Sequence, residues 1–301
     1  MDQAIVRRSV VAVRTRIPDD AFTARTLGTM RDGSGVVIRD DGLVLTIGYL
    51  LTEAEEVWLT THDGRVVPGH ALAYDQETGF GLIKAFSTLD CPALHFGNAA
   101  KAKLGDAVLA VDGYGQSVQA QLVAKQEFAG YWEYLLEEAL FTAPAHPFWG
   151  GAAFVDEHGA LLGIGSLKLE MSKKGETSLI NMVVPINLLP PILDDLLTTG
   201  KVQKPARPWL GAFTAETNGD VVVLSVSPEG PAAKAGLKGG DVISEVRDEE
   251  VGGLADFYRQ IWKSGPAGAE IPVRVLRDGR ETWLRVKSAD RDSFLKKPQL
   301  Q

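Results

Sequence analysis

The sequence predicts a mostly β protein of two domains. Three observations carry that expectation. The chain has 301 residues, about twice the usual domain length. Short runs rich in Val, Ile and Leu recur along it, punctuated by Asp-Gly pairs and prolines, with few stretches of helical period between them. A polar segment with two prolines, residues 200–208 (GKVQKPARP), interrupts the pattern and reads as a linker.

Before the linker, Val10–Arg14, Gly35–Ile38, Leu43–Thr46, Val57–Thr61 and Gly81–Ala85 read as strands. Asp40-Asp41-Gly42, His62-Asp63-Gly64 and Asp75–Thr78 separate them, and Asp-Gly between apolar runs is a hairpin signal. Ala107–Val111, Val118–Ala124, Ala152–Val155, Leu161–Ser166 and Asn181–Val184 continue the series, with Glu157-His158-Gly159 as a further turn. Many short strands without long helices close into barrels or sandwiches. One helix is expected at Ile186–Leu197, after Pro185 and before Gly200.

Beyond the linker, Val221–Val226 and Asp241–Arg247 read as strands, and Gly230–Ala235 as a short helix. Gly252–Ser264 reads as an amphipathic helix with Leu254, Phe257, Tyr258 and Ile261 on one face. Ile271–Arg277 and Glu281–Lys287 form a hairpin across Asp278-Gly279, and Asp290–Gln301 is expected to fray. The expected domains are 1–200 and 208–290, joined by 201–207 and followed by a tail, 291–301.

Composition narrows the function. The net charge is −8, against the basic excess that phosphate contacts demand of a nucleic-acid binder. Residues 206–301 carry as many acidic as basic side chains, so the whole acidic excess lies before them. The lone cysteine, Cys91, excludes an intramolecular disulfide and reads as a core filler. No apolar run approaches a membrane span, and MDQAIVRRSVVAVRTR has no apolar leader core. This points to the cytoplasm if the chain is full length, or to the periplasm if a leader has been removed. Scattered histidines give no zinc spacing, and Gly113-Tyr114-Gly115 lacks the Lys and helix start of a phosphate loop, so neither a metal nor a cofactor is expected.

The tail domain carries the more specific motif. Trp209-Leu210-Gly211, then SPEGPAAKAGLKGGDVI at Ser227–Ile243, then the helix and hairpin, resemble a PDZ domain of the HtrA (DegP-like) type. The first 200 residues resemble the trypsin-like double β-barrel of the same proteases. The landmarks fall in order: Gly33–Ile38, Asp41–Thr46, Asp63-Gly64-Arg65, Gly79–Lys84, Leu104–Ala110, Gly150-Gly151 with Gly159–Ile164, and Asn181–Pro190. The resemblance implies a peptide-binding loop at Trp209-Leu210-Gly211-Ala212, whose N–H groups take a peptide's terminal carboxylate, and a strand edge that takes its backbone. The side-chain pocket would be lined by Leu210, Phe213, Leu254, Tyr258 and Ile261. The polar Gln301 makes the chain's own end a poor occupant.

The same resemblance locates the catalytic positions. The family's histidine follows a T-x-x pattern, which here is Thr46-Ile47-Gly48-Tyr49. Its aspartate falls at Gly79, after Thr78, and its serine, before Gly-Gly, falls at Trp149. A triad needs a hydroxyl, an imidazole and an orienting carboxylate, and Tyr49, Gly79 and Trp149 supply none of them. Pro147 stands at the family's glycine and has no N–H to donate. The expectation is therefore a pseudoprotease, without catalytic residues, that binds peptide or protein C termini as scaffold, adaptor or chaperone-like holder. The alternative is an active endopeptidase with displaced groups drawn from His146, Ser34, Ser166 and Ser178. A third reading is a structural subunit of an active homologue; the family's habit also suggests a trimer. His62, His70 and His158 are expected to face solvent, His95 to be packed, and Tyr131-Trp132-Glu133-Tyr134 to cover the cleft, form a subunit contact or plug a loop.

Overall fold

The computed structural model describes residues 2–173 and 175–297. They fall into two compact units. One runs to Gln126, resumes over Glu138–Val202 and takes in Lys296 onward; the other comprises Glu127–Glu137 and Gln203–Leu295.

The first unit holds two closed β-barrels, a trypsin-like arrangement. The strands of one are β1 (Val10–Arg16), β2 (Met30–Arg39), β3 (Leu43–Ile47), β4 (Glu56–Thr60), β5 (Val66–Tyr74) and β6 (Phe80–Ala85), in the order β1-β2-β3-β6-β5-β4. The other has β7 (Ala107–Val111), β8 (Ser117–Gly130), β9 (Tyr134–Ala143), β10 (Ala153–Val155), β11 (Leu161–Lys173) and β12 (Glu176–Pro185), in the order β10-β11-β12-β9-β8-β7. Closure leaves no unpaired edge, which is how an all-β domain avoids templating aggregation. Val11, Val13, Val37, Val44, Leu59 and Ile83 fill the first barrel, and Val108, Leu122, Leu140, Phe154, Leu162 and Val183 the second. Every residue of β3 is buried, as its apolar run requires.

Helix α1 (Gln3–Arg8), capped by the Asp2 carboxylate on the Ala4 N–H at 2.9 Å, precedes β1, and a single turn α2 (Ala24–Leu27) precedes β2. The helix expected at Ile186–Leu197 is instead a 3₁₀ turn, Ile186–Leu188, followed by α3 (Pro190–Thr199). Pro190 and Pro191 have no N–H to donate and are tolerated only in a first turn, so the helix begins with them. It ends at Gly200, in the left-handed conformation of a C-cap.

The second unit has a six-stranded sheet. Its path is β13 (Ala212–Thr217), β14 (Asp220–Val226), β15 (Val242–Val246), β17 (Glu270–Arg277) and β18 (Arg280–Lys287), with the short β16 (Glu249–Glu250) against β15. Helices α4 (Pro231–Lys234) and α5 (Leu254–Lys263) complete it. The β17–β18 turn has Asp278 at φ 51° and Gly279 at φ 73°, the two positive angles of the hairpin turn that Asp-Gly favours. The core unites Val223, Ile243, Phe257, Tyr258, Ile261, Val273 and Val286 with Leu135, which comes from the Glu127–Glu137 segment.

Two further expectations change. His95 is exposed, because the run around it lies outside the strands. The described part of Asp290–Gln301 does not fray: Arg291–Phe294 forms a 3₁₀ turn, and the Phe294 ring lies 4.9 Å from that of Trp209. Residues 298–301, Gln301 among them, lie outside the described residues.

Candidate functional site

The three positions matched to the triad meet in the first unit. Tyr49 sits on the 3₁₀ turn Gly48–Leu50 that follows β3. Gly79, at φ 82°, closes the turn before β6, and its carbonyl accepts the Gly48 N–H at 2.7 Å. Trp149 precedes Gly150-Gly151, and a Cβ added at Gly150 would meet the Tyr49 hydroxyl at 2.6 Å.

Tyr49 is fixed from both ends. Its ring is partly exposed, but the hydroxyl is enclosed and donates to the Ser166 carbonyl at 3.1 Å. Ser166 stands at a bulge in the β11–β12 ladder, where register shifts between Gly165 and Leu167, so its carbonyl is open to a side-chain donor. Burial drives the phenol's pKa well above its ordinary value, the reverse of what a base near neutrality needs. At the other end, the Tyr49 carbonyl accepts from Arg31 Nη1 at 2.6 Å.

Arg31 went unnoticed in the sequence. It is buried and also donates to the carbonyls of Thr52 (3.0 Å) and Gly28 (3.2 Å) and to the Thr23 hydroxyl (2.8 Å). Burial lowers its pKa to about 10, opposed by the charge of Glu53. Glu53 accepts from the N–H groups of Phe22 (3.0 Å), Thr23 (2.7 Å) and Lys296 (2.8 Å). The sequence offers only an ordinary Arg and an ordinary Glu, and nothing there marks them as a buried pair of anchors.

The loop before Trp149 is tied down by its backbone. His146 is fully buried and donates its N–H to Asn181 Oδ1 at 2.6 Å. Its Nδ1 accepts the Phe148 N–H at 3.1 Å, so the ring proton belongs on Nε2, which lies 3.9 Å from Asp112 Oδ2. The arrangement inverts a triad, where Nδ1–H faces the carboxylate and Nε2 faces the nucleophile. Ser34 Oγ accepts the Gly113 N–H at 2.9 Å, and exposed Ser178 donates to the Met171 carbonyl at 3.4 Å. Among the described residues no serine hydroxyl hydrogen-bonds a histidine. His62 and His158 are exposed; His70 is only half exposed, stacked at 5.4 Å on Phe86. Trp149 stacks under Lys168, whose Nζ is 4.7 Å from the ring centroid.

The residues predicted to bind peptide gather in the second unit. Leu210, Ala212, Leu254, Tyr258 and Ile261 are buried in one apolar cluster, while Trp209 pairs its backbone with Ala289 at 3.0 Å. Phe213 lies outside that cluster, because successive strand side chains alternate faces; its ring is 6.2 Å from that of Tyr131. Gly211, at φ 75°, turns the loop so that the N–H groups of Leu210, Gly211 and Ala212 converge. They converge on the Glu133 carboxylate: Gly211 and Ala212 donate to Oε1 at 2.7 and 3.0 Å, and Leu210 to Oε2 at 3.0 Å. Successive N–H groups curled in this way form an anion nest. The aromatic run flagged in the sequence thus belongs to this unit, and the only hint of its role was one acid among three aromatic rings.

The comparisons with known proteins agree with this layout. Residues 33–164 match the trypsin-like peptidase domain and residues 208–287 the PDZ domain. The chain is similar to the serine endoprotease DegS of Escherichia coli, 28% identical over 271 residues that cover 84% of this chain and 75% of the relative. It is also similar to a probable periplasmic serine endoprotease, DegP-like, of Halomonas elongata, 24% identical over 273 residues, or 86% and 56% of the two. Among solved structures, the HtrA-type protease AlgW with a decapeptide shares the fold at a TM-score of 0.56 and 22% identity, covering 99% of this chain and 100% of that one. The serine endoprotease from Yersinia pestis does so at 0.54 and 24%, covering 96% and 97%. The chain therefore joins a trypsin-like double barrel to a C-terminal PDZ domain, the arrangement of the HtrA/DegS-like serine endoproteases to which it is similar.

Proposed function

We propose that this homologue does not hydrolyse peptide bonds and works by binding peptide or protein C termini through its PDZ domain, as a scaffold, adaptor or chaperone-like holder. The observation that carries the reading is the Tyr49 hydroxyl, which stands at the matched histidine position and donates to the Ser166 carbonyl at 3.1 Å. Hydrolysis needs an imidazole to accept a proton and a hydroxyl to attack; Tyr49 is a phenol engaged with the backbone, and Trp149 has no nucleophilic atom. Gly79 offers no carboxylate to orient a base, and Pro147 lacks one of the N–H groups that would stabilise an oxyanion. His146, the nearest imidazole in sequence, has its Nδ1 taken by the backbone.

Binding is supported by the nest at Leu210–Ala212, which holds a carboxylate, and by β13, an edge strand in the sheet order. A second copy of the chain or an active homologue is a further candidate partner. The test is to treat the full-length chain with a fluorophosphonate probe and fluorogenic peptides, and to titrate it with peptides of free and amidated C terminus. No serine labelling, no turnover and selective binding of the free acid are expected. Labelling with turnover would refute the loss of hydrolysis; indifference to amidation would refute carboxylate capture.

A further inference from the structure

We infer that the segment Glu127–Glu137 is a built-in pseudo-ligand of the PDZ groove, with Glu133 standing in for a peptide's terminal carboxylate, so that the groove is closed in cis and a C-terminal peptide binds by displacing it. The inference rests on the carboxylate-capture reading above and adds what fills the site.

The segment reproduces each element of peptide recognition. Its carboxylate takes all three N–H groups of the nest, at 2.7 to 3.2 Å. Its backbone runs on the free side of β13: the Tyr131 carbonyl accepts the Thr214 N–H at 2.9 Å, where the β13–β14 register shifts between Phe213 and Thr214. Its Leu135 enters the apolar cluster of Leu210, Leu254, Tyr258 and Ile261, the pocket expected to take an apolar last residue. Tyr258 fastens it from α5, donating to the Gly130 carbonyl at 2.7 Å and accepting the Glu133 N–H at 3.3 Å. Arg259 on the same helix pairs with Glu127 and with Glu137, the latter at 2.6 Å.

The fit carries strain. Glu133 adopts φ 60°, a left-handed angle unusual for its side chain. Its carboxylate is also almost wholly removed from water. An incoming peptide end offers the same carboxylate, strand edge and apolar side chain without the backbone cost, so it competes for every contact at once.

The experiment uses the full chain, its Glu133→Ala variant and its Glu133→Gly variant. The probes are a pool of fluorescein-labelled peptides ending in free Leu and the same pool amidated, read by anisotropy. Thermal unfolding identifies which variants fold, and Gly, which takes the positive φ of this position freely, serves should Ala not fold. The expected result is at least tenfold tighter binding of the free-acid pool by the variant than by the parent, with the amidated pool weak throughout. Equal affinity of parent and variant for the free-acid pool overturns the pseudo-ligand and leaves carboxylate capture standing. No preference for the free acid in any of the three proteins refutes carboxylate capture itself, and the pseudo-ligand falls with it.

Discussion

Tyr49→Phe deletes one oxygen from the centre of the matched catalytic positions. If that oxygen is structural, its loss is a stability effect of calculable size. The hydroxyl donates to Ser166, whose carbonyl stands at a ladder bulge. Deletion leaves that carbonyl without its partner. A buried orphan costs about 1–3 kcal/mol; Ser166 is buried, while the Tyr49 ring is partly open to water. The expected loss is therefore about 1–2 kcal/mol, which lowers Tm by roughly 2–8 °C for a domain of this size. Urea unfolding should show a lower midpoint with an unchanged slope. If Tyr49→Phe falls within about 0.3 kcal/mol of the parent, the hydroxyl is not holding the site together.

Tyr49→His, Gly79→Asp and Trp149→Ser made together should leave fluorogenic-peptide turnover near background, because Pro147 still lacks its N–H; adding Pro147→Gly should raise the rate by about 10²–10³. Robust turnover by the triple variant alone would contradict this. Gly151→Ala should cost at least about 2 kcal/mol in denaturant unfolding. Gly151 has φ 78°, and an added Cβ would meet the Ser34 carbonyl oxygen at 1.9 Å and Thr46 Oγ1 at 2.6 Å. Burial pushes the Glu133 carboxyl up to about 7, against the pull of the Leu210, Gly211 and Ala212 N–H groups and of Arg291, with the Tyr258 phenol the other titratable neighbour. The docked segment therefore holds its proton more tightly than a released one, whose carboxyl has its ordinary value near 4.5. Docking should be strongest below about pH 4.5 and weaken up to about pH 7, by about 3 kcal/mol in all. Hydrogen exchange at Leu210–Ala212, corrected for intrinsic rate, should show protection falling from pH 5 to 8 in the parent and flat in Glu133→Gln; a flat parent profile would count against it.

Much of the barrel was legible because its turns are. Gly42, Gly64 and Gly159 all take positive φ where Asp-Gly or His-Gly broke the apolar runs. Strand β5 was not legible: Pro68 and Gly69 depress its strand character, and it forms because β4 and β6 pair with it on both sides. Strand β9 was hidden in the same way by Glu137-Glu138 in its middle. At the site, the positions matched to the triad could be read because each keeps a recognisable flank. Arg31 and Glu53 could not, since their importance lies in carbonyls and N–H groups that only the fold brings to them. Glu133 could not for the same reason: its partners stand some 77 to 79 positions later in the chain.

The chain passes between its two units at four places, because Glu127–Glu137 belongs with Gln203–Leu295. The PDZ unit is thus not a contiguous cassette. A cut at the linker would yield a piece without Leu135 and with three converging N–H groups left open to whatever anion the solution holds. Exchanging the C-terminal third for that of a relative would likewise strand Glu133 without its donors. Residues Phe128–Leu135 and Trp209–Ala212 should therefore vary together among relatives with this arrangement, as a single inherited locus written in two places.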